Sequence, residues 1–217
     1  GAGTLSGDYI DVGGGRHGLL DQTDGQVVCE EILIGGVDGN TAYVLSEFGR
    51  LDGNMAFVAP TGMGRWSIHG AAAELTGRLT VASDLDADGR VEMIGGSLRT
   101  GGEVLGDIGL ATFEQSDGQH DVAGELVLGR WSRDFGYGWV FGSEGRYTLA
   151  GDGNLWVGGE MFVGQAGNGN YLQVDGLAEI EGNLVIAAER GAGQYGDGNC
   201  ELRGGLLRAP HLVVGGG

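Results

Sequence analysis

The hydrophobic positions of this chain fall in short runs of three to five residues, in which apolar and polar side chains alternate and glycine separates one run from the next. Alternation with period 2 over such lengths is typical of half-buried β-strands. The stretch RYTLAGDGNLWVGGEMFVG, residues 146–164, contains three such runs in succession. No stretch shows helical periodicity with capping residues, which argues against a βαβ fold. The pattern therefore predicts an all-β chain.

The same pattern of three apolar runs separated by glycine recurs along the chain. The first strand of each repeat, here the opening strand, mostly lies 22 to 25 residues after the previous one. Two copies are closely related, LDQTDGQ at residues 20–26 and FEQSDGQ at residues 113–119. The opening strands begin at Leu20, Tyr43, Trp66, Val91, Phe113, Tyr147, Tyr171 and Cys200, and the closing strands at Ile32, Leu79, Leu126, Met161, Leu184 and Leu212. A period of this length indicates a solenoid or a propeller. Repeated Asp-Gly steps supply the tight corners, since glycine accepts positive φ.

We predict a right-handed parallel β-helix with three short strands per coil and about nine coils of about 22–25 residues. Residues 1–217 then form a single β-solenoid domain, interrupted by an aromatic-rich insertion loop at residues 130–145. At a layer spacing of about 4.8 Å, such a rod is about 40 Å long.

Two phrases, YTLAGDGNLWVGGEMFVG and FEQSDGQHDVAGELVLG, resemble the autotransporter-type β-helical repeat of bacterial surface proteins. The resemblance is clearest over about residues 109–187. It implies a β-helical fold and a location outside the cell, and it carries no catalytic residues over to this chain. The chain departs from the family pattern because no translocator or sorting tail is visible in it.

Composition narrows the classes of function. Glycine supplies 49 of 217 residues, but 41% hydrophobic residues are too many for a disordered glycine-rich linker. The net charge is −18, and all twelve basic residues are arginine. This balance argues against nucleic-acid binding, which requires a basic surface. No apolar run of about 18 residues is present, so no membrane span is expected.

The chain opens within a repeat, without an initiator Met or a signal peptide. We interpret it as a mature or excised piece of an exported protein, extracellular or at the cell surface. Neither end reads as a cap, and open β-edges are templates for pairing with another chain.

Alternation assigns the faces of the closing strand. Its outward row contains Leu33, Thr80, Val127, Phe162, Val185 and Val213. This mostly apolar row is either an adhesive stripe for lateral packing or a scatter of the β-branched residues that strands favour. The outward row of the middle strand is expected to be a solvated, mostly acidic face formed by Asp11, Asp121, Trp156 and Glu179.

The insertion, Arg130 to Gly145, increases the spacing between two successive opening strands, at Phe113 and Tyr147, to 34 residues. It carries five aromatic residues, Trp131, Phe135, Tyr137, Trp139 and Phe141, that alternate in part with glycine. This pattern suggests a protruding hairpin. The hairpin either covers a hydrophobic patch or forms a stacking platform for a sugar or an anchor into a neighbouring subunit.

The segment DLDADGRVE resembles the first part of a calcium loop. Its oxygen donors are the carboxylates of Asp84, Asp86, Asp88 and Glu92 and the carbonyl of Arg90. It departs from an EF-hand at position 12, where Gly95 replaces the bidentate glutamate. The alternatives are a weak or shared Ca²⁺ site and an ordinary acidic corner.

Other chemistry is sparse. The histidines, His17, His69, His120 and His211, are scattered and are expected at the surface or at corners. Cys29 and Cys200 are expected as separate thiols packed in their coils, in the slots of Val122 or Ala123 and of Tyr147. The alternative is an intermolecular disulfide at a head-to-tail junction. No pair of carboxylates shows the convergence that a glycosidase requires.

These features predict an extracellular structural protein without catalytic activity, a rod that associates with other copies of itself into a filament or a surface layer. One alternative is a carbohydrate-binding adhesin segment that contacts surface glycans through the aromatic insertion. A third is a polysaccharide-active β-helix enzyme.

Overall fold

The computed structural model describes residues 3–14, 16–37, 40–134, 140–188 and 196–215. These residues form β-strands joined by turns and bends, without a helix. The strands are β1 (Thr4–Val12), β2 (Leu19–Gln22), β3 (Gln26–Ile34), β4 (Asn40–Ser46), β5 (Arg50–Val58), β6 (Met63–His69), β7 (Ala72–Val81), β8 (Asp88–Leu105), β9 (Leu110–Val122), β10 (Leu126–Leu128), β11 (Ser132–Asp134), β12 (Val140–Gly142), β13 (Glu144–Leu149), β14 (Asn154–Val157), β15 (Met161–Val163), β16 (Asn168–Gln173), β17 (Leu177–Ile180), β18 (Asn183–Ile186), β19 (Asp197–Leu202), β20 (Leu206–Arg208) and β21 (His211–Val214).

Nineteen of these strands belong to one continuous system of parallel ladders, in which each strand pairs with the equivalent strand of the next coil. The predicted β-solenoid is therefore confirmed. It has about eight turns rather than about nine. The difference arises because β1 supplies only two of the three sides of the first level, pairing through Thr4–Gly7 with the start of β3 and through Tyr9–Val12 with its end.

Three faces run along the rod, and the opening strands form the first. The register joins Leu20, Tyr43, Trp66, Val91, Phe113, Tyr147, Tyr171 and Cys200 in one inward column. This is the set of openings that the repeat predicts. Several neighbours stack directly: the Tyr43 and Trp66 rings are 6.1 Å apart and nearly parallel, and the Phe113 and Tyr147 rings are 4.8 Å apart.

The closing strands form the third face, and their inward residues build aliphatic ladders. Ile32, Leu79, Leu126 and Met161 lie in one column, and all four are fully buried. Each buried aliphatic side chain stabilises the fold by about 1.5–3 kcal/mol. The second face, between these two, is formed by the middle strands from the start of β1 to β20.

The corner after the third face explains the Val-Gly ending of the repeat. At each level the residue after the closing strand has positive φ, and it is a glycine or an alanine: Gly13, Gly35, Ala59, Ala82, Gly106, Gly129, Gly164, Ala187 and Gly215. The opening strand of the next coil then passes close to this corner. A Cβ added to Gly169 would overlap the backbone nitrogen of Gly164.

A second recurring corner explains the related copies LDQTDGQ and FEQSDGQ. In both, and again at Gln173, a buried glutamine precedes an x-Asp-Gly turn. The Gln115 amide donates to the carbonyl of Gly118 and to the carbonyl of Asn154 in the next coil, both at 3.0 Å, while its oxygen accepts from the Tyr147 hydroxyl. Gln22 repeats the arrangement with Tyr43 of the next coil. Gln173 repeats both carbonyl contacts, but its oxygen accepts from Tyr171 of its own coil. The glutamine thus joins two coils at the corner.

The close corner contact generates a stability prediction. Gly169→Ala is expected to lower the free energy of unfolding by about 2 kcal/mol or more, because the new Cβ overlaps backbone that is fixed by the ladder. Ala82→Gly removes a Cβ from a residue with φ of 61°, and relief of this strain offsets the entropy that glycine loses on folding, leaving stability within about 1 kcal/mol. Urea denaturation followed by circular dichroism measures both. Equal midpoints for Gly169→Ala and the unmodified chain would contradict the close-approach argument.

Candidate functional site

The outward row of the third face, here the lateral stripe, is continuous along the rod. Its register is Asp11, Leu33, Phe57, Thr80, Val104, Val127, Phe162, Val185 and Val213. The six residues predicted for this row lie in it. Asp11 was wrongly placed on the middle face. Phe57 and Val104 were missed, because the inward residue before each is Ala56 or Glu103 instead of the branched or long aliphatic residue that marks the other closing strands.

Solvent exposure varies along the lateral stripe. Val104 and Val127 are only 2% and 4% exposed although they point outward, and Thr80 is also buried. Leu33, Phe162 and Val185 are half-buried, whereas Val213 in the last coil is exposed. Its adhesive role therefore stays a prediction.

A depression that we call the lateral groove lies over the covered part of the stripe. One section has a volume of about 600 Å³ and reaches from Phe57 and Thr80 to Arg130. A second section of about 310 Å³ lies over Val104 and Val127. The sections share Arg78 and Arg130 as walls and Gly101 and Gly102 between them. The groove opens here because Gly102 occupies the position that Arg78 holds one coil earlier.

The groove is lined by the guanidinium groups of Arg78 and Arg130 and by the carboxylates of Asp107 and Glu125. Ten arginines have described side chains, and eight of them form ion pairs with carboxylates. Arg130 is one of these, with Nη1 3.4 Å from Asp107 Oδ1. Arg78 is exposed and makes no ion pair or hydrogen bond with the residues that the structure describes. The Arg78 guanidinium, unpaired with respect to the described residues, therefore lines the groove.

The aromatic insertion contains the predicted hairpin. β11 and β12 pair antiparallel, with Arg133 opposite Phe141. Trp131 is 38% exposed at its base. Phe135, Tyr137 and Trp139 lie outside the described residues, and the side chain of Phe141 does too. The role of these aromatic residues stays a prediction.

The calcium-like segment does not gather its donors. Asp84 and Asp86 lie exposed in a corner, while Asp88 begins β8 and Glu92 lies further along that strand in an ion pair with Arg65. The whole segment is described, and no three His, Cys, Asp or Glu side chains in the described residues come together in a way that could hold a metal ion. Calcium binding through Asp84, Asp86, Asp88, Glu92 and the Arg90 carbonyl stays a prediction without a preassembled site.

The interior contains a polar chain that sequence reasoning missed. His120 is fully buried, contrary to the expectation that the histidines lie at the surface or at corners, whereas His17, His69 and His211 are exposed. His120 Nε2 lies 2.8 Å from Glu103 Oε1, and its Nδ1 lies 2.8 Å from the Tyr147 hydroxyl. Glu103 Oε1 also accepts from the Thr100 hydroxyl at 3.0 Å. We call these four residues, with Gln115, the buried polar chain.

The donors and acceptors that surround the buried polar chain determine where its protons lie. The Gln115 amide nitrogen donates to two carbonyls, so its oxygen must accept, and Tyr147 donates to it at 2.6 Å. His120 Nδ1 is then the donor to Tyr147. One proton remains between Nε2 and Glu103 Oε1, so the pair is neutral overall whichever atom holds it. Burial, with the Glu103 carboxylate as a second cause, raises the pKa of Tyr147 well above its usual value, so this hydroxyl keeps its proton.

The repeat pattern in the sequence indicates the buried polar chain. His120 stands in the inward column that Leu98 and Leu155 occupy in the adjacent coils, and Glu103 stands in the column of Leu79 and Leu126. Two polar residues in aliphatic columns of neighbouring coils indicate a partnered pair, since an isolated buried charge is costly. Aligning the repeats column by column would have found it.

Both cysteines occupy the predicted slots. Cys29 is in register with the column that contains Val122, and Cys200 pairs directly with Tyr171 in the column of Tyr147. Both are free thiols, Cys29 buried and Cys200 half-buried. Burial raises the pKa of each, and Glu30 raises that of Cys29 further. The intermolecular disulfide stays a prediction.

Comparisons with protein-family models, with curated proteins and with solved structures found no match to this chain. The described part of the chain has no helix with the length and apolar character that a membrane crossing requires. What the structure itself defines is a protein of the β-solenoid class with a lateral groove and a buried polar chain.

The buried polar chain generates a second prediction. His120→Leu is expected to lower the free energy of unfolding by about 3–5 kcal/mol, because Glu103 is left buried without its main partner. The double variant Glu103→Leu/His120→Leu is expected to recover most of this loss, since leucine fills both columns in adjacent coils. A double variant as unstable as His120→Leu would show that the two side chains are not coupled. Chemical denaturation of the single and double variants forms the required cycle.

Proposed function

We propose that this protein is an extracellular structural rod that associates end to end with copies of itself and catalyses no reaction. The supporting observation is the state of the two end coils. Inward-column residues that are buried elsewhere are exposed there: Leu5 is 49% exposed at the first level, and Leu212 and Val214 are 63% and 67% exposed at the last. Each end also leaves the backbone groups of a parallel edge unpaired within the described residues.

The two ends match each other in the columns of the second and third faces. Leu5 begins the inward column of the second face, and Leu207 ends it. Val12 begins and Val214 ends an inward column of the third face. A second copy placed in register on the last coil would therefore continue both aliphatic columns and the backbone ladder.

Such a contact joins two different surfaces of the molecule. A contact of this kind does not close on itself and extends into a filament when it repeats. Its free energy comes from the burial of the exposed aliphatic side chains and from new ladder hydrogen bonds at a previously open edge.

The autotransporter-type kinship and the extracellular location belong to the same proposal. They are supported by the repeat signature, by the solenoid itself and by the acidic surface. The carbohydrate-binding alternative rests on Trp131 at the base of the insertion. The enzyme alternative has less support, because many of the outward carboxylates of the rod are engaged in ion pairs with arginine, as Glu92 and Glu114 are.

Direct stacking has a consequence for the cysteines. Cys29 lies one level inside the first level of the rod, and Cys200 lies in the last coil on a different face. In a direct stack they are at least two layers apart, about 10 Å, which exceeds the reach of a disulfide. End-to-end assembly is therefore expected to proceed unchanged in the presence of a reductant.

The proposal predicts filaments in electron micrographs of the purified chain with an axial layer repeat of about 4.8 Å. Leu212→Glu is expected to abolish them, because it places a charge in the junction. Phe48→Glu is the matched control, since Phe48 is 82% exposed away from both ends. Separate rods of about 40 Å, formed by the unmodified chain at every concentration, would overturn end-to-end association.

The same micrographs, recorded with calcium and then with EDTA, test the metal prediction. Filaments that dissolve in EDTA and return with calcium would assign the Asp84–Glu92 segment to assembly. Filaments unaffected by EDTA would leave calcium without a role in stacking.

A further inference from the structure

The first face of the rod begins one layer later than the other two faces. Among the described residues, the second and third faces each contain nine layers, from β1 to β20 and from β1 to β21, whereas the first face contains eight, from β2 to β19. β1 therefore extends one layer beyond β2 at this end, and β4 is the one described strand that pairs with β2. The rod thus begins with a step at its first face.

This step contains a groove that we call the end recess, with a volume of about 410 Å³. Leu20, Gln22 and Thr23, from β2 and the corner after it, form one wall, and Thr4 and Leu5 at the start of β1 form another. The opposite end of the rod differs, because β19, β20 and β21 all belong to its last layer. The edge of β2 is therefore recessed, whereas the edge of β19 is level with its neighbours.

The backbone of the end recess favours an extended peptide. The edge of β2 that faces away from β4 is unpaired within the described residues, and such an edge is a template for another strand. Proteins recognise extended peptides by adding them to an open sheet edge in this way. Because the step is one layer high, it accommodates a single strand, which would lie level with β1 and complete the first layer of the rod.

The ladder register specifies two side chains of such a strand. Its first inward residue would fall in the column of Gly145 and Gly169, where space is small. Its second would lie against Leu20, at the end of the column of Tyr43 and Tyr171. Both tyrosines are buried between neighbouring layers, whereas Leu20 is half-buried because one of its sides is uncovered. An aromatic side chain at this position would cover Leu20 and extend the column.

The third inward position matches a glutamine. Each corner glutamine donates to a carbonyl of the next layer, that of Arg50, Asn154 or Leu206. Gln26 is the register counterpart of Arg50 in the layer next to the step, and it lines the end recess. A glutamine in the added strand would reach the Gln26 carbonyl in the same way. The complete pattern, a small residue, an aromatic residue and a glutamine at alternate positions, is that of Asn168–Gln173.

We propose that the end recess binds one extended strand of a partner protein, parallel to β2, with this pattern of inward side chains. The backbone ladder with β2 holds the strand, and the three inward side chains select its sequence. Binding does not require end-to-end association. Where rods do stack in register, the same strand lies between β2 of one copy and β19 of the next.

The test uses single rods that carry Leu212→Glu, so that end stacking does not contribute. The probe is a fluorescein-labelled synthetic peptide, GNGNYLQV, with the sequence of residues 167–174. Fluorescence anisotropy is expected to show saturable binding of one peptide per rod. The same peptide carrying Tyr171→Asp is expected to bind at least about tenfold more weakly, because a charge replaces the ring that covers Leu20.

Two variants of the rod locate the site. Leu20→Glu is expected to raise the dissociation constant of the peptide at least about tenfold, because it places a charge in the end recess. Leu202→Glu is the matched control and is expected to have no effect, since Leu202 is the 53% exposed inward residue of the first face at the opposite end. Circular dichroism checks that both variants fold, and the peptide comparison uses a rod with an unaltered recess.

Three results would each overturn the proposal: no saturable binding of the peptide, equal binding of its Tyr171→Asp form, or loss of binding in Leu202→Glu rods instead of Leu20→Glu rods. None of them bears on filament formation by the unmodified chain, which tests end-to-end association separately.

Discussion

The parallel hydrogen-bond ladder between successive coils is the constraint on which the rest of the structure depends. Each strand pairs with its equivalent one coil earlier and one coil later, so all coils must follow nearly the same path. The corner after the third face must therefore turn in the left-handed region at every level, where only glycine and alanine occur. The next strand passes so close to that corner that Gly145, Gly169 and Gly198 have no space for a side chain, although Ala111 and Thr41 occupy the same column in two other coils. The high glycine content follows from this path.

The enclosed interior imposes the second constraint, because a polar group buried there needs partners. The three corner glutamines satisfy this requirement by bridging adjacent coils, with a tyrosine hydroxyl on each oxygen. The buried polar chain extends the principle over three coils, from Glu103 through His120 to Tyr147. It spans the point where the insertion lengthens the connection between coils, and it therefore specifies which residues face each other there. Among the described residues, Oε2 of Glu103 has no hydrogen-bond partner, so the buried polar chain is expected to be sensitive to the loss of any member.

Because the interior is nearly the same in every coil, the coils differ mainly in their outward rows, their corners and the two ends. Most of the acidic residues and the lateral groove lie on these surfaces. This division explains how one chain can have a strict repeat and a distinct local chemistry at a single groove.

The sequence by itself determined the solenoid, the opening columns and the slots of both cysteines, because each depends on a local alternation that recurs at a fixed period. It did not reveal the burial of His120, the row of Asp11 or the covering of Val104 and Val127. It also suggested a calcium loop whose donors the strand β8 separates. Only the tertiary structure decided the burial of His120, the row of Asp11 and the covering of Val104 and Val127, while calcium binding stays a prediction. The reason is physical: the nearest neighbours of a residue in a solenoid lie one coil away, more than twenty positions along the chain, and a single glycine such as Gly102 is enough to open a groove between them.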